Sequence, residues 1–295
     1  MIVIPMSNSI ALGKSIAKKS KAKLGKLTSE LFPDGEFHIR LLTEVKGKEV
    51  VLVQSLSPNP NDSLLELIFT AKTARELGAK KVTAVIPYLA YMRQDKRFKS
   101  GECVSNQYMA WLLNQSVDRI LTVDPHLHRV HNLAELFHIE RKKITANTAI
   151  AEYISKKFSS KNTIIIGPDI ESSQWAKRIA DSIEFESTIF LKERFHSRKV
   201  KVRVEKELDW KGKEVIIVDD IVSTGHTMIE AVKEIKKRKA KAVDCVCVHA
   251  VMAENAYAKL KKAGARKVLS CDSIKHKSNA IELSKVISEA VKDWK

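Results

Sequence analysis

Hydrophobic positions along this chain fall into two alternating patterns. Short runs rich in Val and Ile occur at Ile2–Pro5, Val50–Gln54, Val82–Pro87, Arg119–Val123 and Thr163–Gly167. They return at Ser187–Phe190, Val215–Val218, Ala242–Ala250 and Lys267–Cys271. Runs of that length and composition predict strands buried on both faces, as in a parallel sheet. Between them, apolar residues recur every three or four positions. That spacing predicts helices over Ile10–Ser20, Leu64–Leu77, Val104–Asn114, Thr148–Phe158, Gln174–Asp181, Thr227–Lys239 and Asn255–Ala263, and a closing helix from Ala280. Regular alternation of the two patterns predicts an α/β chain with mainly parallel sheets flanked by helices. Leu31–Arg40 departs from the rhythm. There Pro33-Asp34-Gly35 between apolar residues predicts a projecting β-hairpin, proline pre-setting φ and glycine accepting a positive one.

Lys46-Gly-Lys-Glu-Val50 recurs as Lys211-Gly-Lys-Glu-Val215, and each copy leads into strand, polar loop, helix and strand. The recurrence predicts two similar domains built from one duplicated unit, for which 295 residues suffice. Residues 132–147 read as the join, dividing the chain into 1–144 and 145–295. The copies differ where the repeated strand ends, with Gln54-Ser55 in the first and Asp219-Asp220 in the second.

The second of those strand ends carries the chemistry. Asp219 and Asp220 follow a buried strand directly, a costly place for two carboxylates without a partner. Ser223, Thr224, Gly225, His226 and Thr227 then lead into a helix. Hydroxyls and backbone N–H groups at a helix N-terminus hold phosphate, and the carboxyl end of a parallel strand is where α/β sheets bind ligands. The stretch reads as a site for a phosphorylated sugar, the carboxylates taking vicinal hydroxyls and the loop taking the phosphate. An ordinary strand–turn–helix is the alternative, because the same residues are common in turns.

Other polar stretches also follow predicted strands. Phe32, Asp34 and Glu36 on the hairpin are either structural or placed to meet an adenine ring and its amino group. Arg93, Gln94, Asp95, Lys96 and Arg97 follow the strand at Val82–Pro87 with a density of cations that suits a triphosphate or a solvated surface loop. His126, His128 and His131 lack the soft ligands of a structural zinc site; one of them helping to hold magnesium or phosphate fits better. Asp169 repeats the pattern of an acid between a strand and a helix. Leu191–Lys199 is basic and aperiodic, and reads as a mobile lid bringing Lys192 and Arg194 onto a phosphoryl group.

Composition narrows the partners. The formal charge of +17 favours polyanions, yet aromatics are only 6% and do not alternate with basic residues as base-stacking surfaces require. Nucleotides and sugar phosphates are therefore expected, not nucleic acid. No apolar run is long enough to span a membrane, and the chain opens on a strand-like Ile-Val-Ile and not on a signal peptide. Cys103, Cys245, Cys247 and Cys271 form no CxxC pair, so free thiols and a reducing cytoplasm are expected.

Asp219-Asp220 with Ser223–Thr227 resembles the phosphoribosyl-diphosphate motif of type I phosphoribosyltransferases. Phe32-Pro-Asp34-Gly-Glu36, Pro87-Tyr-Leu-Ala-Tyr-Met-Arg93-Gln94-Asp95-Lys96-Arg97, Asp124-Pro-His126 and Lys192-Glu-Arg194 resemble, in order and across nearly the whole chain, the ribose-phosphate diphosphokinases. The resemblance implies transfer of the diphosphoryl group of ATP to the C1 hydroxyl of ribose 5-phosphate, releasing AMP. It implies that Phe32, Asp34 and Glu36 meet adenine from a neighbouring subunit, so that at least a homodimer forms. Arg93, Gln94, Asp95 and Lys96 would line the ATP site, and His126 and Asp169 would hold Mg2+. Lys192 and Arg194 would act on the transferred group. Asp219, Asp220 and Ser223–Thr227 would bind ribose 5-phosphate. A transferase of the wider fold would leave the hairpin and the cationic loop without a task, and a non-catalytic relative would be expected to lack the lid cations or the metal-site acid. Two positions depart from the common pattern: Glu171-Ser172 stands where small residues or glycines are usual, and His226 where glycine or alanine is.

Overall fold

The computed structural model describes the chain apart from His128, Arg129, His131, Glu171, Ser197, Arg198 and Lys295, and apart from the side chains of residues 173, 174, 192–196 and 199–203. Two of the three histidines of the 126–131 run thus lie outside the described residues, as does Glu171. The chain divides into two compact units. The first comprises Met1–Thr145, Ser273–Lys275 and Leu283–Lys295, and the second Ala146–Asp272 and His276–Glu282.

In chain order the first unit contains β1 (Ile2–Pro5), α1 (Ile10–Ser20), β2 (Lys23–Leu24), β3 (Leu27–Leu31), β4 (Phe37–Leu41) and β5 (Glu49–Val53). There follow α2 (Pro60–Glu76), β6 (Lys81–Ile86), α3 (Ser105–Asn114), β7 (Arg119–Val123) and β8 (Glu140–Ile144). The sheet order is β2-β1-β5-β6-β7-β8, parallel throughout, while β3 and β4 form the expected antiparallel hairpin. The β-branched runs are buried because helices cover both faces of the sheet.

The second unit repeats the plan with α4 (Asn147–Lys157), β9 (Thr163–Gly167), α5 (Ser173–Ser182), β10 (Glu186–His196), β11 (Lys199–Val204) and β12 (Glu214–Val222). It continues with α6 (His226–Lys237), β13 (Ala242–Ala250), α7 (Ala256–Ala263), β14 (Lys267–Cys271) and β15 (Asn279–Ile281), and the chain closes on α8 (Ser284–Lys292). Its sheet order is β11-β10-β9-β12-β13-β14-β15. In both units the chain leaves the first strand on one side and returns on the other. The order therefore reverses between β1 and β5, and again between β9 and β12, and such switch points open a crevice at the carboxyl ends of the strands.

Four expectations need correction. Residues 132–147 are not merely a join, because they contain β8. Its sequence, Glu-Arg-Lys-Lys-Ile, has no apolar alternation since it is a charged sheet edge, which blocks further pairing. The segment from Leu191 is not an irregular loop as far as it is described. Beyond Ile189, where the pairing with β9 stops, β10 continues as an antiparallel ribbon with β11, running from Phe190↔Val204 to His196↔Lys199. Backbone pairing of that kind leaves no trace in hydrophobic periodicity. The closing helix starts at Ser284 and not at Ala280, because Asn279–Ile281 pairs with β14 as an edge strand.

A contiguous cut at residue 144 also misplaces α8, which belongs to the first unit and packs on α1. Lys142 Nζ donates to Ala290 O (3.0 Å) and Lys292 Nζ to Lys19 O (3.0 Å). The Trp294 ring takes the cations of Lys142 (4.8 Å) and Arg119 (5.5 Å) on its face. In the second unit α4 packs on α5 in the corresponding way. The last helix of the chain thus does for the first unit what α4 does for the second.

Candidate active site

β12 is longer than the strand it lies beside. Its pairing with β9 ends at Ile217↔Ile166, whereas its pairing with β13 runs on to Val222↔Ala250. Asp219 and Asp220 fall in the stretch flanked on one side only. Each carboxylate accepts from the amide that follows it: Asp220 N–H donates to Asp219 Oδ1 (3.0 Å), and Ile221 N–H to Asp220 Oδ1 (2.7 Å). Past Val222 the chain turns through Ser223 and Thr224 to Gly225, whose φ of 77° belongs to the left-handed region. A Cβ there would also stand 3.3 Å from Ala256 Cβ, so strain and crowding both favour glycine. Gly225 caps α6, and the first-turn N–H groups of a helix have no intrahelical acceptor. Thr224 Oγ1 lies 3.2 Å from His226 Nδ1. The loop Ser223–Thr227 therefore combines hydroxyls, an imidazole and a helix N-terminus, a set suited to a phosphate dianion.

Asp169, just past β9, faces the same strand end. Its Oδ1 accepts from Ser172 N–H (3.0 Å), Ser172 Oγ lies 3.0 Å from both Asp169 O and Oδ1, and Asp169 N–H donates to that hydroxyl (3.1 Å). Ser172 is fully buried, and a Cβ on Gly167 would come within 3.1 Å of its hydroxyl. The departure noted at Ser172 is thus the lock that shapes the acid's turn. Ser172 lies three residues after Asp169, so an Asp-x-x-Ser turn signal is what could have marked it in the sequence.

Three carboxylates share this corner. Burial, then the negative charges of Asp220 and Asp169, push the Asp219 carboxyl well above the usual range. Among the described residues, neither Asp219 nor Asp169 forms an ion pair with a lysine or arginine, which distinguishes them from Asp244. That buried acid at the opposite edge of the sheet is held by Arg266, with Nε on Oδ1 at 3.0 Å and an Nη2–Oδ2 contact of 2.5 Å. Among the described residues no three His, Cys, Asp or Glu side chains form a ready-made metal cage. Magnesium is seldom held that way; it takes one or two carboxylates together with substrate phosphates and water. Hard oxygen donors without a cation fit that chemistry.

The remaining candidates lie in the first unit, except for those on β10. On the hairpin, Gly35 N–H donates to Phe32 O and Phe32 N–H to Glu36 O, both at 2.8 Å, and Glu36 N–H donates to Asp34 Oδ1 (3.1 Å). Phe32 is half exposed at the tip, with its ring 5.4 Å from that of His38. After β6 come Arg93 and Lys96, exposed, and Gln94 and Asp95, half-buried. Lys96 Nζ lies 5.1 Å from the Phe98 ring centre. Asp124 follows β7 with φ of 33° and is buried, and His126 is half-buried. Lys192 and Arg194 lie on β10, their side chains outside the description.

The first unit's own switch point is filled. Glu66 on α2 is buried and accepts from Ser7 Oγ and from Gln54 Nε2, both at 2.6 Å. Gln54 Oε1 accepts from Asn8 N–H (3.1 Å), and Ser55 Oγ donates to Ser273 O (2.6 Å). Periodicity could not reveal Glu66 as the plug, because its partners are 12 and 59 residues distant.

Comparisons with known proteins bear on the whole chain. Residues 1–116 match the family described as the N-terminal domain of ribose phosphate pyrophosphokinase, and residues 132–285 match the phosphoribosyl transferase domain. The ribose-phosphate pyrophosphokinase of Methanothermobacter thermautotrophicus is 36% identical over 99% of this chain and 100% of its own. That of Methanopyrus kandleri is 32% identical over 99% of each. Among solved structures, phosphoribosylpyrophosphate synthetase from Mycobacterium smegmatis superposes with a TM-score of 0.85 at 25% identity, covering 100% of this chain and 98% of that one.

Proposed function

The chain belongs to the ribose-phosphate pyrophosphokinase family, and from that premise we propose how its two units divide one reaction. It transfers the β,γ-diphosphoryl group of ATP to ribose 5-phosphate. The sugar's C1 oxygen attacks the β-phosphorus, the bond from that phosphorus to the oxygen bridging the α-phosphate breaks, and AMP leaves. The C1 hydroxyl proton is lost to solvent, and 5-phosphoribosyl 1-diphosphate forms. In-line phosphoryl chemistry is mostly positioning and charge compensation, so the residues are assigned by the charge they face.

The observation that carries the reading is the corner at Asp169, Asp219 and Asp220 beside the N-terminus of α6. Asp219 and Asp220 would accept from the ribose hydroxyls, and Ser223, Thr224, Gly225, His226 and Thr227 would hold the 5-phosphate. Arg93, Gln94, Asp95 and Lys96 would take ATP, with Phe32, Asp34 and Glu36 meeting the adenine of a neighbouring subunit in a homodimer or larger oligomer. Lys192 and Arg194 on the ribbon would stabilise charge developing on the transferred group. Asp169 and His126 would hold Mg2+, which supplies charge neutralisation on the phosphate oxygens. Among the described residues no helix is long and apolar enough to cross a membrane, and Cys103, Cys245, Cys247 and Cys271 are free thiols; both suit the cytoplasm proposed for the enzyme.

Incubation of the full chain with ATP, Mg2+ and ribose 5-phosphate tests this directly. AMP should accumulate in equal amount with the sugar diphosphate, and only when the sugar is present. ADP as the product, or AMP without the sugar, would overturn the assignment.

A further inference from the structure

The loop carrying Arg93–Lys96 is fastened at both ends by bonds that the assignment of ATP leaves unused. Leu89, Ala90 and Met92 are buried in the core of the first unit, and Arg93 emerges exposed one residue later. The reversal needed between them falls on Tyr91, whose φ of 66° lies in the left-handed region that disfavours side chains. Its ring packs against that core, and its hydroxyl donates to Asn61 Oδ1 on the first turn of α2. Burial and the charge of Asp62 push the phenol up, which keeps the donor proton in place. Nearby, Leu56 N–H donates to Tyr88 O (3.0 Å). At the far end the Glu102 carboxylate accepts from Phe98 N–H (2.8 Å) and Lys99 N–H (3.1 Å). The cationic residues are thus strung between two fixed points, and the first of them is a non-glycine residue in a conformation it would leave if released.

We propose that Tyr91 and Asn61 are positioning residues for ATP, their hydrogen bond fixing the reversal that turns Met92 inward and presents Arg93, Gln94 and Asp95 outward. The inference rests on reading residues 93–96 as the nucleotide site. Without the bond, Tyr91 relaxes toward negative φ and swings the backbone that follows. The loop then has to be ordered again each time nucleotide binds, a cost carried by ATP and not by the sugar. Neither residue touches the reacting atoms.

The test is steady-state kinetics of the full chain with Tyr91→Phe, Asn61→Ala and the double variant, beside thermal melts. Each single variant should raise KM for ATP about five- to tenfold, the loss of roughly one hydrogen bond. KM for ribose 5-phosphate should stay within error, and kcat should change less than about twofold. The double variant should be no worse than the poorer single, because both remove one bond. An unchanged KM for ATP would overturn the inference. So would equal rises for both substrates, effects that multiply in the double variant, or a fall in Tm that accounts for the lost activity. A wild-type chain that makes no AMP would instead sink the proposed reaction, so the two failures are told apart.

Discussion

β5 and β12 start from the same five residues and end in opposite chemistry. Gly47 and Gly212 turn with φ of 67° and 75°, and both strands run to the switch point of a parallel sheet. At the end of β5 most polar groups find partners inside the protein: Gln54 with Asn8, Ser7 and Glu66, and Ser55 with Ser9 and Ser273, while among the described residues the buried Glu66 Oε1 has none. At the end of β12, Asp219 is crowded by two further acids and pushed toward its protonated form. A filled strand end adds to stability. An end where acids crowd one another is less stable by itself and gains when a ligand or cation binds there. One duplicated scaffold therefore holds a plug in one copy and a proposed site in the other.

The sharpest way to break the comparison is to neutralise one end and then the other. Asp219→Asn or Asp220→Asn should lower kcat/KM for ribose 5-phosphate by about 10²–10³, measured as AMP release. Next comes Asp244, an acid whose partner is present. Asp244→Ala leaves Arg266, which is partly exposed, facing Glu214 alone and should cost about 1–3 kcal/mol in denaturant unfolding, with kcat of the folded fraction unchanged. At the plug, Gln54→Leu removes donors and acceptor together and leaves the Glu66 carboxylate with Ser7 Oγ as its remaining donor. It should cost about 1–3 kcal/mol and leave the sugar's KM unchanged; a large rise in that KM would show that the first unit's strand end is not merely structural.

The smallest expected effect concerns pH. A carboxyl whose folded pKa lies above its unfolded value contributes stability that is complete below the unfolded pKa and is lost as pH rises through the folded one. For Asp219 that loss begins above about pH 4. Ligand-free Asp219→Asn should therefore melt higher than wild type at pH 7, and the gap should close as pH falls toward 4. A gap that widens on acidification would mean that Asp219 is stabilised as a carboxylate.

The central strands were legible because burial on both faces writes a continuous apolar run, as at Ile2–Pro5 and Thr163–Gly167, where element and expectation share their bounds. Elements held mainly by backbone pairing at an edge write no such pattern, which is why β8, β15 and the β10–β11 ribbon were missed. The polar stretch Asp219–Thr227 was visible because its residues are adjacent. Glu66 against Ser7, Tyr91 against Asn61 and the return of α8 to α1 depend on partners brought together only by folding. Ser172 was noticed as an irregularity, and its use emerged from its contacts with Asp169.

Calorimetric titration of ribose 5-phosphate into the full chain with Mg2+ present, for wild type, Asp219→Asn and Gln54→Leu, tests the central contrast most directly. Wild type and Gln54→Leu should bind with similar affinity, while Asp219→Asn should show a loss of about a hundredfold or no measurable heat. Undiminished binding by Asp219→Asn, or its loss in a folded Gln54→Leu, would contradict the division of the two strand ends into site and plug.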